Sequence, residues 1–270
     1  MNSGQGDENF LASWKQLDNH IKNTKNSLSF VRSLQKDSDK KNKDIKICLD
    51  EWNVWNFQDI KFDSMDDLKG MTTFVVTDAK KWEEHPGILQ EKYSLLDALT
   101  VGGLGIDILN NVDQVGIACL AQLINDIAPI TTDEEGNLLK QTIYYPFELL
   151  SKYGRGIVLQ PAIHGDQKNT SEGEVPAVEA AAVYDEDAHE IHVFALNSSL
   201  SSESHLELNL NGFNKPTVTA HIVFTGDDLS ERNTFDHPDN ILPAEGDTSQ
   251  SVDDLTLPQA SWNVYTIHVD

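Results

Sequence analysis

An excess of acidic residues sets the first limits on what this chain of 270 residues binds, since 44 Asp and Glu against 20 Lys and Arg give a formal net charge of −24. A chain this acidic repels nucleic acid and anionic membrane surfaces, so neither is expected as a partner. No apolar run reaches the roughly 18 residues that a membrane-spanning helix needs.

The N-terminal segment is predicted to be a helix. Residues 8–35 carry apolar side chains at helical spacing, among them Leu11, Trp14 and Leu17. The opening residues, MNSGQGDENF, lack both the basic region and the apolar region of a secretory signal peptide. We therefore expect a cytoplasmic protein.

A short strand, Ile45–Leu49, is predicted next, and it leads into the stretch CLDEWNVW at residues 48–55. That stretch places two acids beside Trp52 and Trp55, which is unusual where a buried strand ends. A carboxylate flanked by tryptophans suits a sugar site, because aromatic rings stack on sugar rings and a carboxylate can attack or stabilise an oxocarbenium ion. The alternative is that the tryptophans are core residues and the acids are solvated. The Asp-Glu pair alone does not decide between them.

The rest of the first half predicts a loop, two helices and a second strand. Residues 56–90 are polar and without a period, which indicates a long loop. Residues 91–110 have a helical pattern, and Val115–Leu120 is an apolar strand pattern. The run YYPFELLSKYGRG predicts a helix that ends on Gly154 as a C-terminal cap. Two buried strands joined by helices belong in a parallel sheet.

Other chemistries find little support in the sequence. The run GGLGIDI lies inside a helical pattern and has Ile108 where a dinucleotide fingerprint needs a third glycine. His189 and His192 are three apart on a predicted strand and so point to opposite faces. The motifs HExxH and CxxC do not occur, so we expect no metal and no cofactor. Cys48 and Cys119 each lie in an apolar run, which predicts buried, reduced thiols.

The pattern changes after Gly156. Short β-rich runs separated by turn residues follow, and Leu206, Leu208 and Leu210 alternate with polar residues as in a half-buried antiparallel strand. We therefore predict two domains, an α/β part at residues 1–156 and an all-β sandwich at residues 157–270. Two strands cannot complete a β/α barrel, which needs eight strands and about 250 residues. The chain is thus expected to be the end of a longer protein.

Several stretches resemble one enzyme family. DEWNVW is similar to the nucleophile motif of the α-L-arabinofuranosidases of glycoside hydrolase family 51. SLLDALTVGGLGIDILNNVDQVGIACLAQLIND, QTIYYPFELLSKYGRG, VPAVEAAAVYDEDAHEIHVFALN and DDLSERNTFDHPDNILP also resemble segments of that family. The resemblance covers nearly the whole chain. It implies the C-terminal part of a (β/α)8 TIM barrel, about strands 7 and 8, followed by a jelly-roll-like β-sandwich.

The resemblance also implies roles for individual residues. Glu51 would be the catalytic nucleophile of a retaining glycosidase that removes terminal α-L-arabinofuranosyl residues from arabinose-containing oligo- or polysaccharides. Trp55 would wall the arabinose subsite, and Gln122 would hydrogen-bond a sugar hydroxyl. Asp50 would have a structural role and Trp52 would belong to the core. One departure is Asn56, where the family usually carries an aromatic residue, so part of the pocket wall differs.

The second carboxylate of a retaining glycosidase has no match here. In the family it is the Glu of a Gly-Asn-Glu segment, which this sequence lacks, and the GDE that ends at Glu8 opens a helix instead. We therefore expect this chain alone to be inactive and its partner to be the missing N-terminal half of the barrel. The resemblance also implies a homo-oligomer for the full-length enzyme. The alternative is a non-catalytic remnant whose β-sandwich binds carbohydrate or a protein partner.

Overall fold

The computed structural model describes residues 6–34, 45–54 and 91–270. The helices are α1 (Asp7–Leu11), α2 (Trp14–Leu34), α3 (Leu95–Asn110) and α4 (Tyr144–Tyr153). The strands are β1 (Ile47–Trp52), β2 (Val115–Leu120), β3 (Ile130–Thr132), β4 (Leu138–Lys140), β5 (Ile157–Leu159), β6 (Gln167–Thr170), β7 (Gly173–Pro176), β8 (Val178–Asp185), β9 (Glu190–Asn197), β10 (Ser204–Leu206), β11 (Thr217–Phe224), β12 (Ala244–Glu245), β13 (Leu255–Leu257) and β14 (Ser261–His268). Over these three ranges, no helix is both long and apolar enough to cross a membrane.

The predicted N-terminal helix is present as two pieces. The chain leaves the helical path at Ala12, and the helix resumes as α2. The first turns of α2 are amphipathic, and Trp14, Leu17 and Ile21 are buried in the main hydrophobic core. Its last turns are exposed, with Phe30 among the uncovered apolar side chains. The N-terminal part of α2 is therefore the part that tertiary packing holds.

Strands β1 and β2 pair in parallel, as the sequence predicts. The boundaries of β1 differ from the predicted Ile45–Leu49, because the strand begins at Ile47 and continues to Trp52. The pairing of β1 with β2 continues beyond Leu49, and the carbonyl of Trp52 still accepts a hydrogen bond from the backbone of Ala121. The two acids of the DEWNVW motif therefore lie inside the strand rather than after it. The predicted loop at 56–90 lies outside the described residues.

The prediction of buried cysteines is wrong. Cys48 and Cys119 are both exposed, and so is Ile117, which pairs with Cys48 across the sheet. Leu49 lies on the opposite face, where it packs into the main core. An apolar strand is buried throughout only where both faces of its sheet are covered. Over the described residues, one face of the β1–β2 sheet is covered and the other is exposed.

Helix α3 is the central element of the core. Its N-cap is Ser94, whose side chain accepts from the backbone of Asp97 while the Asp97 carboxylate accepts from the backbone of Ser94, a capping box. Nearly every residue of α3 is buried. This burial follows from its position between α2 and α4 on one side and the large sheet on the other.

The second half contains an antiparallel sheet of six strands in the order β12-β11-β14-β9-β8-β5. One face packs against α3 through side chains that include Phe194, Leu196 and Trp262. The other face forms a second core with β13, through Val193, Ile267 and their neighbours. Alternation along β9 supplies both cores, because successive side chains point to opposite faces. The described chain thus combines α/β and antiparallel β structure, while the complete barrel and the jelly-roll-like sandwich stay predictions.

Three local predictions differ from the structure. The strand through Leu206, Leu208 and Leu210 is shorter than predicted, since β10 ends at Leu206, although all three side chains pack against the second core. His189 lies outside β9 in a turn with a φ of 56°, so the predicted face alternation with His192 does not apply. The β3–β4 hairpin was not predicted, because three-residue strands leave little periodicity in a sequence.

Candidate active site

A β-bulge sets the position of Glu51. Leu49 pairs with Ala118 and Trp52 pairs with Leu120, so three steps along β1 match two along β2. In a regular strand, successive side chains alternate between faces. The extra residue breaks that alternation, and both Asp50 and Glu51 are exposed while Leu49 and Trp52 are buried. Bulges are frequent beside active sites, where they re-aim a side chain.

A backbone hydrogen bond brings the ends of β1 and β2 together. The N–H of Ala121 donates to the carbonyl of Trp52, with 3.2 Å between nitrogen and oxygen. Glu51 precedes one partner of this bond and Gln122 follows the other. Both side chains are exposed, and the peptide bond between Ala121 and Gln122 is cis. Because the strands are parallel, Glu51 and Gln122 lie at the same end of the sheet.

Asn53 links the chain after β1 to the loop after β2. Its side-chain amide donates to the carbonyls of Ala121 and Ile127, each at 2.8 Å. The same amide donates to the hydroxyl of Tyr93 at 3.1 Å. Its side-chain oxygen accepts from the backbone N–H of Val54 at 2.8 Å. The side chain of Asn53 therefore holds together the two segments that follow β1 and β2 at the candidate site.

Two buried residues, Tyr93 and Gln141, donate hydrogen bonds to carbonyls of the loop that follows β2. The hydroxyl of Tyr93 donates to the carbonyl of Ile127 at 3.2 Å. Burial raises the pKa of Tyr93 far above its usual range, with further contributions from the charges of Glu91 and Asp97, so this hydroxyl stays protonated. The amide of Gln141 donates to the carbonyl of Ala128 at 2.8 Å and accepts from the backbone of Tyr93. Side chains therefore add to the backbone hydrogen bonds that hold the loop after β2.

Of the three residues singled out by the sequence, Glu51 and Gln122 lie at the same end of the parallel pair of strands. Trp55 lies outside the described residues, and so does Asn56. Trp52 is buried and its ring centroid lies 6.4 Å from that of Phe147, as expected for a core residue.

Sequence reasoning missed the positioning residues Asn53, Tyr93 and Gln141. Asn53 stands inside the DEWNVW motif, and a polar residue there, between two apolar neighbours, was the available signal. Tyr93 and Gln141 lie far apart in sequence, and only the fold brings them together.

A groove of about 520 Å³ lies beside the candidate site, between Leu123 and one face of α4. Tyr144 and Phe147 line its apolar part, and Lys152 and Arg155 line its rim. Within the described ranges, β1 and β2 pair only with each other, so the outer edge of each strand is open. Over the same residues, no group of three or more His, Cys, Asp and Glu side chains is placed to hold a metal ion.

Comparison with known proteins identifies the relatives of this chain. The profile of the alpha-L-arabinofuranosidase C-terminal domain matches residues 50–261. An intracellular exo-alpha-(1->5)-L-arabinofuranosidase of Acetivibrio thermocellus is 35% identical over 96% of this chain and 49% of its own length. A Bacillus subtilis protein of the same description is 34% identical over 95% of this chain and 48% of its own length. An exo-alpha-(1->6)-L-arabinofuranosidase of Bifidobacterium longum is 33% identical over 97% and 48%.

Solved structures give the same result. A family 51 alpha-L-arabinofuranosidase from Bifidobacterium longum superposes with a TM-score of 0.80 at 28% identity, over 98% of this chain and 49% of that one. A Thermotoga maritima alpha-L-arabinofuranosidase, at 20% identity and a TM-score of 0.70, shares the fold over 98% of this chain and 51% of that one. The chain spans about half the length of the relatives it matches.

These matches place the chain among the relatives of glycoside hydrolases. It belongs to the alpha-L-arabinofuranosidase C-terminal domain family and corresponds to the C-terminal half of the family 51 enzymes.

Proposed function

We propose that this chain carries the nucleophile half of a retaining glycosidase site for terminal α-L-arabinofuranosyl residues. The observation that supports it most directly is the position of Glu51 and Gln122 on either side of the Trp52–Ala121 hydrogen bond, at one end of two parallel strands. In β/α barrels, the catalytic groups come from that end of the strands. The relatives' printed names supply the sugar, and arabinose-containing oligo- or polysaccharides are the proposed substrates.

The proposed chemistry uses Glu51 as an ionised carboxylate. One oxygen forms a bond to the anomeric carbon while the bond from that carbon to the leaving oxygen breaks. The leaving oxygen takes a proton from a general acid, and water later displaces the sugar from the resulting ester. Gln122 donates to or accepts from a sugar hydroxyl, and Trp55 covers one face of the ring. The general acid would lie about 5–5.5 Å from Glu51, as in retaining glycosidases.

We further propose that polypeptide corresponding to the first half of the relatives supplies the general acid and completes the sheet. The open face around Cys48 and Ile117, the free edges of β1 and β2 and the apolar groove beside Leu123 support this partner. Parallel sheets bury both faces, and a two-stranded sheet has little stability alone. The complete enzyme would work inside the cell, as the names of two relatives state for those proteins.

A chimera tests the proposed function. The first half of the Acetivibrio thermocellus relative would be fused to residues 1–270, and activity would be measured on 4-nitrophenyl α-L-arabinofuranoside beside residues 1–270 alone. We expect turnover only in the fusion, because general-acid help and substrate positioning both require the other half. Glu51→Ala should lower kcat by more than about 10³-fold. Azide should restore part of the activity and yield an arabinosyl azide.

The matched control is Asp50→Asn, which removes the adjacent exposed carboxylate. It should retain far more activity than Glu51→Ala. A folded, inactive fusion would contradict the proposal and favour the non-catalytic remnant. Equal losses in both variants, or a Glu51→Ala fusion that azide does not rescue, would contradict the nucleophile role.

A further inference from the structure

Three buried carboxylates from three different elements line one cleft of about 440 Å³ away from the candidate active site. Asp18 comes from α2, Asp107 from α3 and Glu179 from β8. All three are more than nine-tenths buried, with exposed fractions of 6%, 3% and 7%. Carboxylates at this depth are rare unless they are paired. The cleft is the place where α2 meets the rest of the core.

The available hydrogen-bond donors are distributed unevenly. The ammonium groups of Lys15 and Lys22 both donate to the same oxygen of Asp18, at 2.8 and 2.7 Å. Glu179 accepts one bond from the side-chain amide of Asn110 at 3.1 Å. One oxygen of Asp107 accepts from the amide of Asn111 at 3.0 Å.

The other oxygen of Asp107, Oδ2, is buried and has no hydrogen-bond partner within the described ranges. A buried ionised oxygen without a donor is costly, whereas a protonated carboxyl group avoids most of that cost. The geometry therefore favours the neutral form of Asp107.

Charge balance in the cleft leads to the same conclusion. With Asp107 protonated and Glu179 ionised, the carboxylates of Asp18 and Glu179 offset the ammonium groups of Lys15 and Lys22, and the cleft is neutral. With Asp107 ionised, it carries one uncompensated negative charge. These four residues are the charged groups that act on Asp107. The lysines and Asp18 belong to α2, and Glu179 belongs to β8. The main cost of ionising Asp107 in the docked form is therefore its burial with Oδ2 unpartnered, which docking of α2 imposes.

The pKa directions agree with the geometry. Burial, followed by the charges of Asp18 and Glu179, raises the pKa of Asp107 to about 8. Burial also raises the pKa of Glu179 to about 7, although the hydrogen bond from Asn110 opposes the shift. At Asp18 burial acts upward as well, but the hydrogen bonds from Lys15 and Lys22 outweigh it and leave the pKa below its usual value.

We propose that this cleft is a proton-dependent lock, which holds α2 against α3 and β8 when Asp107 carries a proton and weakens when the proton is lost. The lock is independent of the proposed glycosidase function. Undocking of α2 would return Asp107 to water and to a pKa of about 3.9. Docking is therefore linked to uptake of a proton between about pH 4 and pH 8, where only the docked form holds it. Docking is strongest in acid, weakens as pH rises through this window, and changes no further above it.

Hydrogen exchange of the α2 amides tests the lock in the full chain. Exchange of the segment around Trp14–Ile21 would be measured by mass spectrometry from pH 5.5 to pH 7.5, and each rate would be corrected for the intrinsic pH dependence. The corrected opening constant should rise with pH, by at most about tenfold per unit for each proton that only the docked form holds, one on Asp107 and one on Glu179. Amides of β9 and β14 serve as an internal reference, since those strands lie outside the junction.

Asp107→Asn imitates the protonated side chain and should remove the Asp107 part of the pH dependence, which leaves only the smaller rise, complete near pH 7, that Glu179 contributes. Glu179→Gln keeps the acceptor for Asn110 but removes a charge that raises the pKa of Asp107, so the rise should stop at a lower pH. Asp187→Asn, at an exposed turn, is the matched control and should behave as the native chain.

A native chain whose α2 opening does not rise with pH would overturn the proposal. So would a native slope that persists in Asp107→Asn. If Asp107→Asn does not fold, Glu179→Gln replaces it, and a profile unchanged from the native chain would overturn the proposal equally.

Discussion

Gly102 of α3 lies directly against the indole ring of Trp262 in β14. A Cβ atom built on this glycine would come within 2.5 Å of Cδ1 of the tryptophan. Trp262 is almost fully buried, so the ring cannot move aside without disturbing its neighbours. The neighbouring Gly103 faces Leu196 of β9 in the same way, at 2.8 Å. Gly102 and Gly103 of GGLGIDI are therefore explained by close approach of α3 to the sheet, and Gly105 by close approach to Leu150 of α4, not by a bound nucleotide.

The first prediction follows from that contact. Gly102→Ala should lower the free energy of unfolding by up to about 2 kcal/mol, because overpacking costs about 1–3 kcal/mol and the gain in helix propensity returns roughly 1 kcal/mol. Urea denaturation measures the change. Gly165→Ala is the matched control, because nothing lies within 4 Å of the added Cβ. Equal stability of the two variants would show that α3 can shift away from the sheet.

The second prediction concerns Asn53. Asn53→Ala removes the donors to the carbonyls of Ala121 and Ile127 and should destabilise the chain by about 1–3 kcal/mol. In the active chimera it should also lower kcat, because Gln122 follows directly after Ala121. Asn169→Ala, on an exposed strand, should change neither quantity. A stable but inactive Asn53→Ala chimera would indicate a direct role at the substrate.

The third prediction concerns the contribution of His221 to stability in acid. Burial lowers the pKa of His221, which stacks on Tyr265 at a centroid distance of 4.0 Å and contacts Asn263 through Nε2 at 3.1 Å. Because the folded-state pKa lies below the unfolded value of about 6.5, the unfolded chain takes up the proton first. The contribution of His221 to stability should therefore fall as pH decreases below about 6.5, until the folded-state pKa is passed, and this acid slope is opposite in sign to that of Asp107 and Glu179.

Replacement of His221 by Gln should reduce this acid slope, measured by urea denaturation at pH 5, 6 and 7. The slope is compared rather than the absolute stability, because the substitution also removes the ring stack. His237→Gln, on an exposed turn, should leave the slope as it is in the native chain. An unchanged slope in His221→Gln would contradict the prediction.

The fourth prediction uses the two cysteines as probes of the open sheet face. Both thiols should react with a disulfide reagent without denaturant, because Cys48 and Cys119 are exposed. In a chimera whose added half lacks cysteine, both should become protected. Thiols that already need denaturant in the native chain would show that this face is covered without the other half. Thiols that stay reactive in the active chimera would contradict the proposed docking face.

Sequence patterns predicted the elements with strong periodicity and missed those that depend on tertiary context. The strand Val115–Leu120 agrees with β2 because a run of apolar residues bounded by polar ones marks both ends. The end of β1 was misplaced because a bulge leaves no periodic signal and is defined only by the partner strand. The prediction that the cysteines are buried was wrong because an apolar sequence shows only that a strand can be buried. It does not show whether other elements cover both faces of that strand.

The candidate site divides in the same way. Glu51 and Gln122 could be proposed from a local motif and from their positions relative to two strands. Asn53, Tyr93 and Gln141 act through hydrogen bonds to carbonyls that are remote in sequence, and such partners carry no sequence signal. The residues that position an active site are therefore harder to predict from sequence than the residue that reacts.

Phe194 and Trp262 project from the large sheet into the same core as Trp14 and Leu99. A cut between residues 156 and 157 would divide this core, although the sequence pattern changes there. The antiparallel half is thus not a portable module, since an isolated copy would present the face that α3 now covers to water. We therefore expect a recombination event at that boundary to leave an exposed apolar face on each fragment, which favours aggregation.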